Sequence, residues 1–268
     1  MIVKPKGTLF LLFFLLILGN NSSLAQENPE QYDGWNFRIS PYFWFVGFKG
    51  TIYRPPEPPT ASPLPEPRPP FELDVSFRDI SSNLKFAFMG AGEFRANRFV
   101  TQFNIASVIL EGEAITPLDL VLQDVTYRFA YVSGDISAGY FLVKNPKLEI
   151  AGLLGIKYIY FDIGGTVNLS GKIPLDGSRS IFWFDPILGI RGKYKPHPRV
   201  EIVAYGDTDG SLIGDDLNYQ FIGLVNFAVT KWFVVSGGYR LWGVKVDDSE
   251  VIYSGEISGA IIRLGFQF

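Results

Sequence analysis

The chain has 268 residues, 47% hydrophobic and 16% aromatic, enough for one large domain. Its 24 Lys and Arg against 27 Asp and Glu give a formal net charge of −3, and no basic stretch offers the electrostatic footprint of a nucleic-acid partner. Cysteine is absent, which excludes a disulfide framework, a thiolate metal site and a cysteine nucleophile.

The first 25 residues read as a cleaved signal peptide. Lys4 and Lys6 form a positive start, Leu9 to Leu18 an apolar run, and Ser23-Leu24-Ala25 ends on the small residue a signal peptidase prefers. The run is about half of the ~20 residues a membrane-spanning helix needs. Residues 26–34 follow as a short periplasmic segment. Beyond Gln26 no apolar run approaches that length, so the rest is soluble or crosses a membrane as strands.

From residue 35 onward, aromatic and β-branched residues alternate with polar ones at period two, the mark of strands. Ten strands are predicted, at about 36–53, 83–95, 98–112, 122–143, 147–163, 179–195, 198–210, 217–229, 232–247 and 256–268. The fold class is therefore all-β, a closed antiparallel up-and-down barrel of about ten strands, with eight or twelve as the neighbouring possibilities. Connections alternate short and long. The short ones are Ala96-Asn97, Lys144-Asn145-Pro146, Pro196-His197 and Thr230-Lys231; the long ones are 54–82, 113–121, 164–178, 211–216 and 248–255. Tight periplasmic turns and long extracellular loops are the rule in transmembrane barrels, and an even strand number puts both ends on the tight-turn side. In the first long connection, residues 55–70 hold nine prolines, which bars them from a barrel wall and makes 54–71 a stiff extracellular loop. Asp79 to Leu84 is read as a short helical turn at the barrel mouth.

Alternation alone does not tell a soluble barrel from a membrane one. Aromatic residues at strand ends do: Phe94, Phe233, Phe266 and Phe268 near the turns, Tyr158, Tyr160, Tyr219 and Phe221 toward the loops, form two girdles on the apolar face. The opposite face carries Arg38, Lys85, Glu93, Glu149, Lys157, Asp185, Arg191, Glu201, Arg240 and Arg263, ruinous in a dry core but reasonable in an enclosed lumen. Only 19% of residues are charged, below the ~25% usual in soluble chains. Arg128 shares the outward parity of Tyr140. At ~3.3 Å per residue and ~40° tilt it stands roughly 30 Å higher, above the apolar band, unless a bulge flips the parity.

The motifs Trp183-Phe184-Asp185-Pro186-Ile187-Leu188-Gly189-Ile190-Arg191-Gly192-Lys193-Tyr194, Tyr205-Gly206-Asp207 and Gly238-Tyr239-Arg240 are similar to those of uncharacterised Gram-negative outer-membrane β-barrel proteins of the porin-like group. The stretch Asp74 to Ile80 with Phe86-Ala87-Phe88-Met89-Gly90 fits the same group. The resemblance implies a multi-pass barrel in the cell outer membrane. The alternating strand that closes on Phe268 separately resembles the signal, with Phe266 and Phe268, by which the barrel-assembly machinery recognises outer-membrane clients; lipid and lipopolysaccharide are the expected neighbours. The likeness says nothing of activity or oligomeric state.

Candidates for chemistry are few. His197, the sole histidine, is read as a polar turn residue rather than a proton switch, and without a second histidine a Ser-His-Asp or His-Asp site has no base at the loop end. Asp207 and Asp209, with Asp215 and Asp216, are weak metal candidates at that rim, read first as carboxylates bridged by divalent cations to lipopolysaccharide. No catalytic residue and no cofactor is assigned. Small barrels are filled by side chains and wide ones hold water. The lumen is therefore read as plugged, with Trp44, Trp183, Tyr205 and Trp242 pointing inward and Arg38, Arg191, Arg240 and Arg263 paired to Glu93, Glu149, Asp185 and Glu201. The expected role is structural or surface-interacting; a narrow channel for small solutes or ions, a surface enzyme and a soluble barrel binding an apolar ligand are the alternatives.

Overall fold

The computed structural model describes residues 34–53, 71–114, 122–169, 175–209, 218–247 and 252–268. The proposed signal segment and most of 26–34 lie outside them, as does the proline-rich stretch up to residue 70. The described strands are β1 (Trp35–Tyr53), β2 (Phe71–Val75), β3 (Leu84–Ala96), β4 (Phe99–Ala114), β5 (Leu122–Lys144), β6 (Leu148–Leu169), β7 (Leu175–His197), β8 (Val200–Asp209), β9 (Asn218–Ala228), β10 (Phe233–Asp247) and β11 (Ile252–Gln267). One helix, α1 (Phe77–Ser82), lies between β2 and β3.

From β3 onward each strand pairs antiparallel with the next, and β11 pairs back onto β1, closing a barrel of ten wall strands. Arg38 lies opposite Gln267 and Tyr53 opposite Ile252 along that closing seam. Side-chain hydrogen bonds hold the tight turns. Asn97 takes a left-handed φ of 51°, a conformation asparagine tolerates well. The Asn145 side-chain oxygen accepts the amides of Lys147 and Leu148 at 3.0 and 2.8 Å. Thr230 accepts those of Trp232 and Phe233 at 3.3 and 3.0 Å.

Three predicted connections are shorter than expected, 248–255 among them because β11 already begins at Ile252. β6 runs on to Leu169 and β7 begins at Leu175, so most of the presumed loop 164–178 is wall. The connection 54–82 also contains structure. Phe71 opens β2 rather than ending a loop, and β2 pairs with the upper part of β1, from Phe48 opposite Val75 to Ile52 opposite Phe71. The helical turn expected at Asp79 to Leu84 begins earlier, at Phe77, because Ser76 caps it. Its side chain meets the Asp79 amide while the Asp79 carboxylate accepts from the Ser76 amide, a reciprocal capping box.

Wall height varies around the barrel. β8 and β9, with 10 and 11 residues, just cross an apolar band of ~25 Å at a tilt of ~40°. β5 and β7, with 23 residues each, rise roughly 30 Å further on the loop side. The register from Phe99 opposite Tyr140 to Glu111 opposite Arg128 is continuous. No bulge inverts that parity, and Arg128 faces outward, paired with Glu111 at 3.7 Å.

The outward face is apolar over the band. Phe88, Leu154, Phe184, Ile190, Phe221 and Leu264 are exposed on it, while Glu149, Lys157, Arg191 and Arg240 are buried. Hydrocarbon outside and charge inside is the reverse of a water-soluble barrel and fits a wall in contact with lipid. The lumen is not uniformly ionic, however. Toward the loop end its lining is hydrophobic, with Trp44, Val46, Met89, Ile159, Trp242, Val244 and Ile257 in one packed cluster. The polar parity of each strand is thus interrupted in its upper half.

Candidate functional site

The lumen is stacked in three levels, each built by residues two apart on neighbouring strands, since alternate side chains of a strand point the same way.

The lowest level is an ionic plate. Glu93 on β3 takes Arg95 at 2.5 Å, Arg191 of β7 at 2.9 Å and the Gln102 amide of β4 at 3.0 Å. Arg95 also reaches Glu149 on β6 at 2.8 Å, and Lys193 of β7 bridges Glu149 at 3.0 Å and Glu201 of β8 at 3.6 Å. Glu201 meets Arg38 of β1 at 3.4 Å, with Asn226 of β9 donating to it at 3.3 Å; Arg38 donates to Gln267 of β11 at 2.8 Å. The plate therefore ties eight wall strands across the bore. Removal from water penalises such charges, and multiple partners at hydrogen-bond distance offset that penalty.

The second level is a mixed chain. The Tyr42 hydroxyl donates to Asn104 at 2.8 Å, and Asn104 donates to Asp135 at 3.0 Å. Arg240 donates to the Tyr42 oxygen at 3.2 Å and to the Gln220 carbonyl oxygen from two of its nitrogens, Nε at 2.8 Å. Gln220 donates to Asp207 at 2.8 Å, and Asp207 pairs with Lys157 at 3.2 Å. Arg240 lies over the Trp44 ring at 4.6 Å, Lys157 over Trp242 at 5.6 Å and Arg263 over Tyr42 at 5.2 Å. Between the two levels is a polar cavity of about 100 Å³, lined among others by Arg38, Glu93, Asp135, Arg191 and Arg263. It has room for on the order of half a dozen waters.

The third level is apolar: Trp44, Val46, Met89, Ala106, Phe161 and Trp242, joined by Ile80 from α1, surround a cavity of about 40 Å³.

Of the predicted lumen residues, the structure brings Arg38, Glu93, Glu149, Arg191 and Glu201 into the lower plate and Lys157, Arg240 and Arg263 into the level above. Asp185 lies opposite Lys157 in the β6–β7 register. Lys85 is a correction. The β3–β4 ladder shifts between Leu84 and Phe86, and Lys85 is exposed at an outer recess with Glu111 and Arg128 instead of in the bore. The expected pairing is corrected too: Arg240 bonds Gln220 and Tyr42, and Arg263 stacks on Tyr42, where carboxylates were expected. Asp207, placed at the rim from sequence, is fully buried beside Lys157 and Gln220. Asp215, Asp216 and the Asp209 side chain lie outside the described residues, as does the Trp183 side chain. Among the described residues no three His, Asp or Glu side chains gather as a metal site. Trp44 and Trp242 are buried in the bore, and Tyr205 lines the polar cavity.

Arg95, Lys193, Asp135, Asn104, Gln220 and Tyr42 were missed. Arg95 and Lys193 sit two residues from Glu93 and Arg191, so parity already placed them inside. His197 ends β7 beside the β7–β8 turn, where its Nδ1 accepts the Arg199 amide at 3.2 Å.

No protein-family model matches the chain, and no curated protein matches its sequence. Solved structures do. The outer membrane protease OmpT of Escherichia coli matches at 12% identity over 93% of this chain and 100% of that one, with a TM-score of 0.52. The Yersinia pestis attachment invasion locus protein Ail, in complex with the heparin analogue sucrose octasulfate, matches at 13% identity over 88% and 99%, TM-score 0.35. The transport unit of the Escherichia coli autotransporter AIDA-I matches at 10% identity over 96% and 97%, TM-score 0.40. These neighbours are outer-membrane β-barrel proteins, and at such identities the likeness is one of fold.

Proposed function

We propose that the chain is an integral barrel of the bacterial outer membrane, structural or surface-interacting in role, whose lumen is closed to solutes and which performs no turnover. One observation carries this reading: the ionic plate and the mixed chain above it cross the bore from wall to wall, with an apolar layer over both. An ion entering would have to displace paired charges and then shed its water in the apolar level, an unfavourable path. The reading without turnover is supported by the place of His197, the sole histidine, which sits at the tight-turn end in a turn hydrogen bond, on the opposite side from the loops. Lys85 and Arg128, exposed at one outer recess, offer cations toward lipopolysaccharide phosphate, the partner expected at that height. The barrel-assembly machinery is the partner expected during biogenesis.

The test is single-channel recording on the purified chain in planar bilayers with concentrated KCl. No stepwise conductance is expected. A second reading, a narrow channel, rests on the polar cavity: Arg38 Nε, Arg191 Nε and Nη1 and Arg263 Nε are buried there without a protein acceptor. Steady conductance with anion preference would establish that reading and end the first. Recovery of the chain in the soluble periplasmic fraction would remove both.

A further inference from the structure

Among the described residues, the ladder between β1 and β3 stops partway up the wall. β1 and β3 pair only from Trp35 opposite Ala96 to Pro41 opposite Gly90. Proline has no amide hydrogen to donate, so Pro41 is a natural end for the ladder. Higher up, β1 turns to β2 instead, starting at Phe48. Residues 42–47 of β1 and 84–89 of β3 therefore flank a seam with no strand-to-strand ladder across it.

The helix α1 fills that seam and straddles the wall. On its outer side Phe77 packs edge-on against Phe45 at 5.1 Å and Phe43 at 6.3 Å, and Phe43 is exposed on the lipid face. On its inner side Ile80 is buried in the apolar level with Trp44, Val46 and Met89. Most bonds that hold the helix are local: Ser76 with Asp79, Ser81 to the Arg78 carbonyl at 2.9 Å, Ser82 and Asn83 to that of Asp79 at 2.8 and 3.1 Å; the Asn83 carbonyl also accepts the Glu111 amide of β4 at 2.9 Å. Its withdrawal would break no β1–β3 ladder, with the segment staying tethered through Val75 to β1 and through Asn83 to β4.

Two polar groups on the chamber wall lack a partner. The indole N–H groups of Trp44 and Trp242 are both buried and unpaired, although each ring lines the cavity. Buried donors are normally satisfied, and an exception calls for an explanation. Apolar cavities of roughly 150 Å³ stay dry and take up benzene. The present cavity is about 40 Å³ with Ile80 in its lining, so withdrawal of that side chain enlarges it.

We infer that the β1–β3 seam is a lateral portal with α1 as its plug, and that the chamber behind it binds a small apolar molecule bearing one hydrogen-bond acceptor, such as an aryl ketone, drawn from the surrounding lipid. The ring or alkyl body replaces Ile80 against Met89, Ala106 and Phe161. The acceptor meets an indole N–H, and the ionic levels beneath form a floor that stops it. This rests on the wall facing lipid but not on whether the lumen conducts.

The test uses the full chain refolded in phosphatidylcholine vesicles, with para-bromoacetophenone as probe, because bromine quenches tryptophan emission on contact. A saturable quenching component is expected above the linear one from Trp35 and Trp232, which are exposed. It disappears in the double variant Trp44→Phe, Trp242→Phe. Ile80→Ala tightens it severalfold, and Ala106→Phe, which fills the chamber, weakens it by about tenfold, or ~1.4 kcal/mol. Bromobenzene, lacking the acceptor, binds severalfold more weakly. Should Ala106→Phe fail to refold, the double tryptophan variant and Ile80→Ala decide. Purely linear quenching in the unaltered chain, or a saturable component that survives loss of both tryptophans, overturns the proposal, and neither outcome bears on the conductance experiment.

Discussion

Glu93 shows what a single lumen residue does. Its carboxylate is shared by Arg95, Arg191 and Gln102, and its side chain is 13% exposed. Replacement by alanine leaves two guanidinium groups facing each other in a poorly solvated bore. Breaking a buried pair from one side typically costs about 3–5 kcal/mol, more than the intact pair contributes over an apolar substitute. Lys49 and Asp74, 76% and 71% exposed at 3.4 Å, are the internal control, since such surface pairs are worth less than about 1 kcal/mol. Urea unfolding in vesicles, followed by tryptophan emission, is expected to show a large loss for Glu93→Ala and almost none for Lys49→Ala. Comparable losses would mean that water screens the plate as it does the surface. These positions were legible because period-two parity separates the ionic side of each strand from the lipid side. The partners were not, because they depend on stagger between strands far apart in the chain: Arg38 reaches Glu201, and Arg240 meets Tyr42 and Gln220, only after the barrel closes.

At the scale of elements, the wall strands were readable to within a few residues, apart from the two tall strands that continue through glycine-rich stretches around Gly164 and Gly177. Those stretches look like loops because glycine lowers strand propensity, and cross-strand pairing overrides it. β2 was hidden for a different reason. Five residues beside a proline-rich segment carry little local signal, and their strand character comes from β1. The helix left a clearer mark in Ser76-Phe77-Arg78-Asp79, a capping-box spacing. Hydrogen bonds from the Ser76 side chain and backbone, in that order, hold the Asp79 carboxyl below the ordinary carboxylate range. A depressed folded value means the cap contributes fully above the unfolded aspartate value of about 3.9 and is lost as pH falls through the lower folded value. Hydrogen exchange across residues 77–83, corrected for intrinsic rates, is expected to show protection that declines only below about pH 4. In Asp79→Asn the protection should be lower and flat across the same range. A decline centred well above that pH would assign the titration to another group.

For the whole molecule, everything depends on joining the first strand to the last. The join at the tight-turn end consists of few contacts. Phe268 donates its amide to the Phe37 carbonyl at 2.8 Å and accepts from the Phe37 amide at 3.2 Å, with the two rings stacked at 6.4 Å. Phe266 stacks on Trp232 at 6.3 Å on the outer face of the neighbouring seam. Closure and the proposed recognition by the assembly machinery make different demands on these residues. Closure needs the backbone of residue 268, since the ladder is made of amides, whereas recognition as proposed would read the exposed ring. Deleting Phe268 removes both; Phe268→Ala removes only the ring. The deletion is therefore expected to lower the folded, heat-modifiable fraction both on refolding from urea into vesicles and on expression in cells. Phe268→Ala should refold in vitro nearly as well as the unaltered chain yet reach the outer membrane poorly. Equal losses for Phe268→Ala in both assays would reduce the terminal ring to a piece of wall packing, and the assembly role would pass to another part of the last strand.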